Sequence, residues 1–362
     1  MVCPGRNGRI DTGIDLVARE AGTGALVAIQ CKFYSPDAVL QWGHVSTFVA
    51  MLSQAEFSSG LIVSTAGAES SNLHSNLDLN SKPINLWRVE DLEGSLVDWS
   101  QFDIDRPMVL NLAEPKELRP HQDAAIADVV AGFESNERGQ LVMACGTGKT
   151  FTSLRLAERL VGRGGSVLFL VPSINLLSQS VKAWANDAST SLAKFAVCSD
   201  IRAGQRRDDE DMNANDLSFP ASTDPTALVD AVGAREEPRA MTAIFSTYQS
   251  IDVIAQAQQL GLAGFDLVIC DEAHRATGAF REDDETPFTK VHDNTNIDAT
   301  KRLYMTATPR VYGDQAKRKA SDAGDVILAS MDDPARFGPV FHELKFGEAV
   351  RQELLTALGS AE

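Results

Sequence analysis

The chain has 362 residues, 44% of them hydrophobic and 23% charged, enough for two domains that each bury a core. Fifty acidic residues against 33 basic ones leave a net charge of −17, which excludes a uniformly basic nucleic-acid coat, although counterion release rewards local Lys and Arg rather than the overall sum. No apolar run approaches a membrane span and the first ten residues hold no signal-like apolar core, so a reduced cytoplasm without membrane attachment is the expected setting.

Residues 1–98 alternate short extended runs with one amphipathic helix. The periodicity predicts strands over 13–19 and 25–33, a helix over 37–54 with Pro36 near its start, and strands over 60–65 and 84–89. Asp15 lies on the first run and Gln30-Cys31-Lys32 on the second. A Gly-containing turn between the two would bring Asp15, Gln30 and Lys32 to one edge, and period-2 alternation gives Gln30 and Lys32 the same face. Phosphodiester hydrolysis needs a carboxylate to hold Mg²⁺, a second oxygen ligand, and a cation near the developing charge. Asp15, the Gln30 carbonyl and Lys32 supply these in turn; the plain alternative is a hairpin with an exposed lysine. Asp11, ahead of Thr12-Gly13, suits a turn, with an accessory ligand as the other reading.

Residues 99–117, with Pro107 and Pro115 and no periodicity, read as a linker. From Leu118 strands and helices alternate, the signature of a parallel sheet covered on both faces. A helix is expected over 149–161 and strands over 166–171, 242–246, 265–270 and 302–305. Residues 202–226, polar and acidic with Pro220 and Pro225, read as a surface insertion; the runs Asp208-Asp209-Glu210-Asp211 and Glu282-Asp283-Asp284-Glu285 read as solvated loops. Ala144 to Thr150 form a Gly-rich turn in which Gly146, Thr147 and Gly148 would bring backbone N–H groups to the phosphates of ATP. Lys149 adds positive charge and the Thr150 hydroxyl binds Mg²⁺; Met143 stands where the strict pattern has Gly. Asp271-Glu272, at the end of an apolar run, would put one carboxylate on Mg²⁺ and the next near the attacking water. Thr306-Ala307-Thr308-Pro309 follows another such run. His44, His74, His121, His292 and His342 lack ligand spacing and are expected to be non-catalytic. The cysteines (Cys3, Cys31, Cys145, Cys198, Cys270) lack zinc spacing, and those beside motifs are expected to pack as small apolar groups.

In their order these segments resemble the first RecA-like domain of superfamily 2 helicases and translocases. By that resemblance Gln122, in Arg119-Pro120-His121-Gln122, reads adenine; Pro172-Ser173 and Thr247-Tyr248 touch the nucleic-acid backbone; and His274 couples the nucleotide to Thr306 and Thr308. The strings from Cys270 to Arg275, from Met305 to Arg310, Phe337-Gly338-Pro339, and Phe346 to Val350 are similar to the motor of restriction enzymes, above all the single-polypeptide type I (ISP) kind. The Asp15, Gln30, Lys32 pattern resembles the Mrr-like branch of PD-(D/E)xK nucleases, in which Gln replaces the usual acidic residue. That family usually carries an acidic residue on a preceding helix, whereas only fourteen residues come before Asp15 here.

The resemblance implies an α/β protein: a restriction-endonuclease-like domain at 1–98, a linker at 99–117, and one RecA-like doubly wound parallel-sheet domain at 118–340. Residues 341–362 would start a connection to a second RecA-like domain. It further implies part of an ATP-dependent restriction endonuclease and DNA translocase that uses ATP and Mg²⁺ on double-stranded DNA in a bacterial cytoplasm. The second motor domain, methyltransferase and target-recognition regions are expected elsewhere. Two alternatives stay open: a DEAH-type helicase for repair or mobile-element maintenance with an inactive nuclease domain, and a non-catalytic DNA- or protein-binding remnant.

Overall fold

Backbone bonds Glu20 N–H to Ala25 and Gly24 N–H to Glu20 turn the strand Leu16–Arg19 back antiparallel onto Leu26–Lys32, with Leu16 opposite Ile29. The computed structural model that shows this describes residues 13–20, 23–53, 56–103, 105–106, 109, 111–198, 221–281, 286–313 and 326–356. Two further strands, Ser59–Ser64 and Ile84–Trp87, add in parallel, giving a four-stranded sheet. Its covered face buries Ala28, Ile62 and Leu86 against Phe48 and Leu52 of helix Ser46–Leu52 and Leu73 and Leu77 of helix Ser71–Asp78. Each such fully buried Leu or Phe contributes about 1.5–3 kcal/mol of transfer free energy.

Several expectations shift here. The helix expected over 37–54 is confined to Ser46–Leu52, preceded by a 3-10 turn Trp42–His44. Val39–Leu40 pairs instead as a short strand with Ala68–Glu69, because Leu40 finds its buried place there rather than on a helical face. The strand expected over 84–89 ends at Trp87; Val89–Glu93 is helical, with the Asp91 carboxylate accepting from the Arg88 N–H at 2.9 Å. Within the expected linker, Asp98 N–H bonds Asn111 O and Ala113 N–H bonds Leu96 O, so this stretch folds back beside 96–98. Asp11 and Cys3 lie outside the described residues.

The chain divides into two compact units. Among the described residues, the first runs to Lys116 and also takes in residues 221–222 and 233–237; the second holds the remainder from Glu117. In the second, seven parallel strands lie side by side in the order Leu192–Val197, Met241–Thr247, Ser166–Val171, Phe265–Cys270, Ala299–Thr306, Arg138–Met143, Val340–Leu344. Their interiors are continuous buried runs, as in 167–171 and 267–270, which is what a sheet covered on both faces requires. Helices Pro120–Gly132, Lys149–Leu160, Ile174–Asp187 and Ile251–Gln259 run between the strands.

The expected helix and strands recur nearly residue for residue, from Lys149–Leu160 to Phe265–Cys270. Two boundaries do not. Residues 341–344 belong to the sheet, paired beside Arg138–Met143, rather than opening a connection. Of the expected insertion, 202–220 lie outside the described residues, while Pro225 starts helix Pro225–Gly233, a first-turn position where a missing N–H costs nothing; the Asp224 carboxylate accepts from the Thr226 N–H at 2.9 Å. Among the described residues no helix is long and apolar enough to cross a membrane.

Candidate functional site

Parallel strands all end at the same edge, so segments that follow five different strands converge there. The phosphate loop follows Met143, Pro172-Ser173 follows Val171, Tyr248 follows Thr247, Asp271 follows Cys270 and Ala307 follows Thr306.

The loop owes its shape to two glycines in the left-handed region, Gly146 at φ 82° and Gly148 at φ 87°. Between them Thr147 is buried, its hydroxyl donating to Ala144 O at 2.7 Å. Its own carbonyl accepts from Gln122 Nε2 at 3.3 Å and meets His121 Nε2 at 2.9 Å, so the first turn of helix Pro120–Gly132 clamps the loop. A Cβ added to Gly148 would overlap the Gln122 amide nitrogen. Gln122 Oε1 accepts from the Arg119 N–H at 2.9 Å, leaving one donor and one acceptor valence on the amide. His121, expected to be non-catalytic, holds the loop; its place on the same helical turn as Gln122 was the available signal for that role. Lys149 Nζ donates to Met143 O at 3.3 Å, and Lys149 and Thr150 are the first two residues of helix Lys149–Leu160. Cys145 is exposed, as is Cys31, contrary to the apolar packing expected of both; Cys270 is buried as expected.

Asp271 is buried, and desolvation together with the neighbouring Glu272 pushes its carboxyl up to about 6, against the pull of the Glu272 N–H and Lys149. Glu272 sits at φ 49°, ψ 45°, a left-handed conformation that costs a non-Gly residue about 1–2 kcal/mol. His274 Nδ1 lies 3.3 Å from Glu272 Oε2 and 3.0 Å from Thr306 Oγ1, and the Thr308 N–H donates to the same Thr306 oxygen at 3.1 Å. Glu272, His274, Thr306 and Thr308 therefore form one connected group.

The residues expected to contact DNA divide. Ser173 is half-buried and caps helix Ile174–Asp187, accepting from the Leu176 N–H at 3.4 Å; Pro172 and Thr247 are buried at neighbouring strand ends. Tyr248 is a correction: its side chain is fully buried and its hydroxyl donates to the Asp271 carbonyl at 2.9 Å, so it cannot reach a phosphate. A tyrosine after a continuous apolar strand reads as surface only until its position over the core is known.

In the first unit Asp15 Oδ2 accepts from the Cys31 N–H at 2.7 Å, which fixes the carboxylate beside the end of the Leu26–Lys32 strand. Gln30 is buried, and its Oε1 is an orphaned acceptor. Gly13, at φ 72°, lets the chain pass so close that an added Cβ would lie 3.3 Å from Gln30 Nε2 and 3.0 Å from Phe48 N. Lys32 pairs opposite Ser64 on the adjacent parallel strand, two residues beyond Gln30. No group of three or more His, Cys, Asp or Glu side chains among the described residues could hold a metal ion. A cation here would rest on one carboxylate and an amide oxygen, and the unpaired Gln30 acceptor fits that donor set, since an unsatisfied buried oxygen costs about 1–3 kcal/mol.

A sheet edge with a clamped phosphate loop, an Asp-Glu pair and a histidine tied to Thr306 defines a RecA-like helicase-type domain, and the four-stranded sheet before it a restriction-endonuclease-type domain. The chain belongs to the family described as type III restriction enzyme, res subunit, whose model matches residues 115–311; a model described as restriction endonuclease matches residues 3–109. It is similar to the ATP-dependent type ISP restriction-modification enzyme LlaBIII bound to DNA, with 40% identity and a TM-score of 0.79 over 94% of this chain and 22% of that one. A nuclease-deletion mutant of the type ISP enzyme LlaGI, in complex with a DNA substrate mimic, matches with 38% identity and a TM-score of 0.52 over 66% of this chain and 21% of that one. The probable helicase A859L of African swine fever virus (strain Badajoz 1971 Vero-adapted) is 31% identical over 173 residues, 48% of this chain and 17% of the relative. The chain thus spans about a fifth of the length of these relatives.

Proposed function

We propose that this chain is the nuclease and first motor portion of an ATP-dependent restriction enzyme that cleaves double-stranded DNA in a bacterial cytoplasm. One observation carries the reading: a single chain holds both a clamped phosphate loop with Lys149 acting on the Asp271 carboxyl of the Asp-Glu pair and, on a separate sheet, Asp15 held by the N–H of Cys31, the residue next to Gln30 with its orphaned buried oxygen. Magnesium, when bound, supplies positive charge on phosphoryl oxygens and lowers the pKa of water; Thr150 and Asp271 would hold it with ATP, Asp15 and Gln30 in the nuclease. The chain's own residues do the rest. Backbone N–H groups of 146–148 and the Lys149 ammonium bind the phosphates, and the spare donor and acceptor of Gln122 suit the adenine edge. Glu272 orients the attacking water and takes its proton, while His274 ties that carboxylate to Thr306 and Thr308. In the nuclease Lys32 places positive charge at the scissile phosphate. Pro172, Ser173 and Thr247 contact the DNA backbone without reading bases. A second RecA-like domain, a methyltransferase and a target-recognition region, in cis or in trans, are the partners such a system uses.

Plasmid cleavage by purified chain in Mg²⁺ tests the nuclease. Asp15→Ala and Lys32→Ala should each lower the rate about 100-fold or more while retaining the far-UV spectrum of the parent. Cleavage that survives both substitutions sinks the assignment. Binding of a Mg-nucleotide should vanish in Lys149→Ala, and duplex binding should weaken steeply with salt yet be indifferent to sequence.

A further inference from the structure

Tyr248 opens a 3-10 turn, Tyr248–Ser250, at the end of the Met241–Thr247 strand. Its ring stacks on Phe288 with centroids 5.0 Å apart, and its hydroxyl reaches past the Ser166–Val171 strand to the Asp271 carbonyl. Burial raises the hydroxyl pKa well above its ordinary value, so it remains a donor. The next residue, Gln249, donates from Nε2 to Pro172 O at 3.3 Å, and Thr247 Oγ1 donates to Ser250 Oγ at 3.1 Å. One short turn thereby holds the ends of three adjacent strands. Packing alone does not explain the tyrosine: phenylalanine would stack on Phe288 equally well, and a buried hydroxyl is unfavourable unless its bond is used.

We propose that Tyr248 is a positioning residue that couples nucleic-acid occupancy at Pro172-Ser173 and Thr247 to the nucleotide site, through its hydroxyl on the Asp271 carbonyl. A phosphate docking at those segments shifts the turn that Gln249 and Thr247 fasten to them. The tyrosine moves with the turn and carries the Asp271 peptide, and hence the direction of the Asp271 and Glu272 carboxylates. Coupling of this kind is reciprocal, so it is readable from binding alone.

The inference rests on the reading of the site as one for nucleotide and DNA, and the experiment keeps the two apart. The affinity of the full chain for a fluorescent Mg-ATP analogue is measured with and without a saturating duplex, in the parent, Tyr248→Phe and Gln249→Leu. In the parent, DNA should change nucleotide affinity by a factor within roughly 5–150, the usual range of coupling. In Tyr248→Phe, which keeps the ring and its stack, that factor should fall to within about twofold of unity, while nucleotide affinity without DNA and DNA affinity without nucleotide each stay within about twofold of the parent. Gln249→Leu should lower the factor in the same sense. Tyr248→Phe retaining the parental factor overturns the inference, as does a parent that binds both ligands with no mutual effect. A parent that binds neither ligand instead overturns the underlying reading of the site, and the coupling with it.

Discussion

Gly148→Ala introduces a Cβ where the backbone is at φ 87° and where that Cβ would overlap the Gln122 amide nitrogen. The left-handed conformation alone costs an L-residue about 1–2 kcal/mol. Gln122 is a flexible side chain, but its amide is held at both ends, by Thr147 O at 3.3 Å and the Arg119 N–H at 2.9 Å, so moving it breaks at least one buried hydrogen bond. Leaving such a donor unpaired adds about 1–3 kcal/mol, for a total of about 2–5 kcal/mol. Gly164→Ala is the internal control: its φ is 82°, nothing lies within 4 Å of the added Cβ, and it belongs to the same unit. It should feel only the backbone cost, and the gain from a stiffer unfolded chain is the same in both variants and cancels. Chemical denaturation, following the transition that Mg-nucleotide shifts, should place Gly148→Ala about 1–3 kcal/mol below Gly164→Ala. Nucleotide binding should be lost in the first and kept in the second. Equal destabilisation of the two variants would refute the clamp of Gln122 on the loop.

His292 is fully enclosed, with Nδ1 2.9 Å from the Tyr304 hydroxyl and Nε2 3.1 Å from Ala276 O, and desolvation lowers its pKa from 6.5 to about 4. The unfolded chain therefore binds the extra proton first, and stability fully present above pH 6.5 declines as pH falls toward 4, by about 3 kcal/mol in all. Unfolding free energies measured between pH 7 and pH 4.5 should show a slope that His292→Asn flattens; an unchanged slope in the variant assigns the effect elsewhere. Glu272→Gly should be more stable than Glu272→Ala by about 0.5–1 kcal/mol, because both lose the carboxylate but only glycine accepts φ 49° without strain. A glycine variant no more stable than the alanine one would show that Glu272 carries no backbone strain.

The elements that positions 149–171 and 265–270 form were legible from sequence, and the phosphate loop, the Asp271-Glu272 pair and the Asp15, Gln30, Lys32 set stood out there as candidates. Each depends on neighbours a few residues away: an apolar run, a glycine that tolerates positive φ, a spacing of two along a strand. The strand Val340–Leu344 was not legible, because its place beside Arg138–Met143 is set by which edge of the sheet remains open rather than by any local pattern. Likewise the short Val39–Leu40 strand displaced an expected helix because its partner, Ala68–Glu69, lies far along the chain. The bonds that turn a list of motifs into a site are all of this second kind. His121 and Gln122 meet Thr147, Tyr248 meets Asp271, Gln249 meets Pro172, and His274 meets Thr306 only after the sheet order brings their strand ends together. Sequence determines which groups can bond and which backbone shapes are allowed; which donor finds which acceptor is decided by topology, since the directional, short range of a hydrogen bond leaves no trace in residues so far apart along the chain.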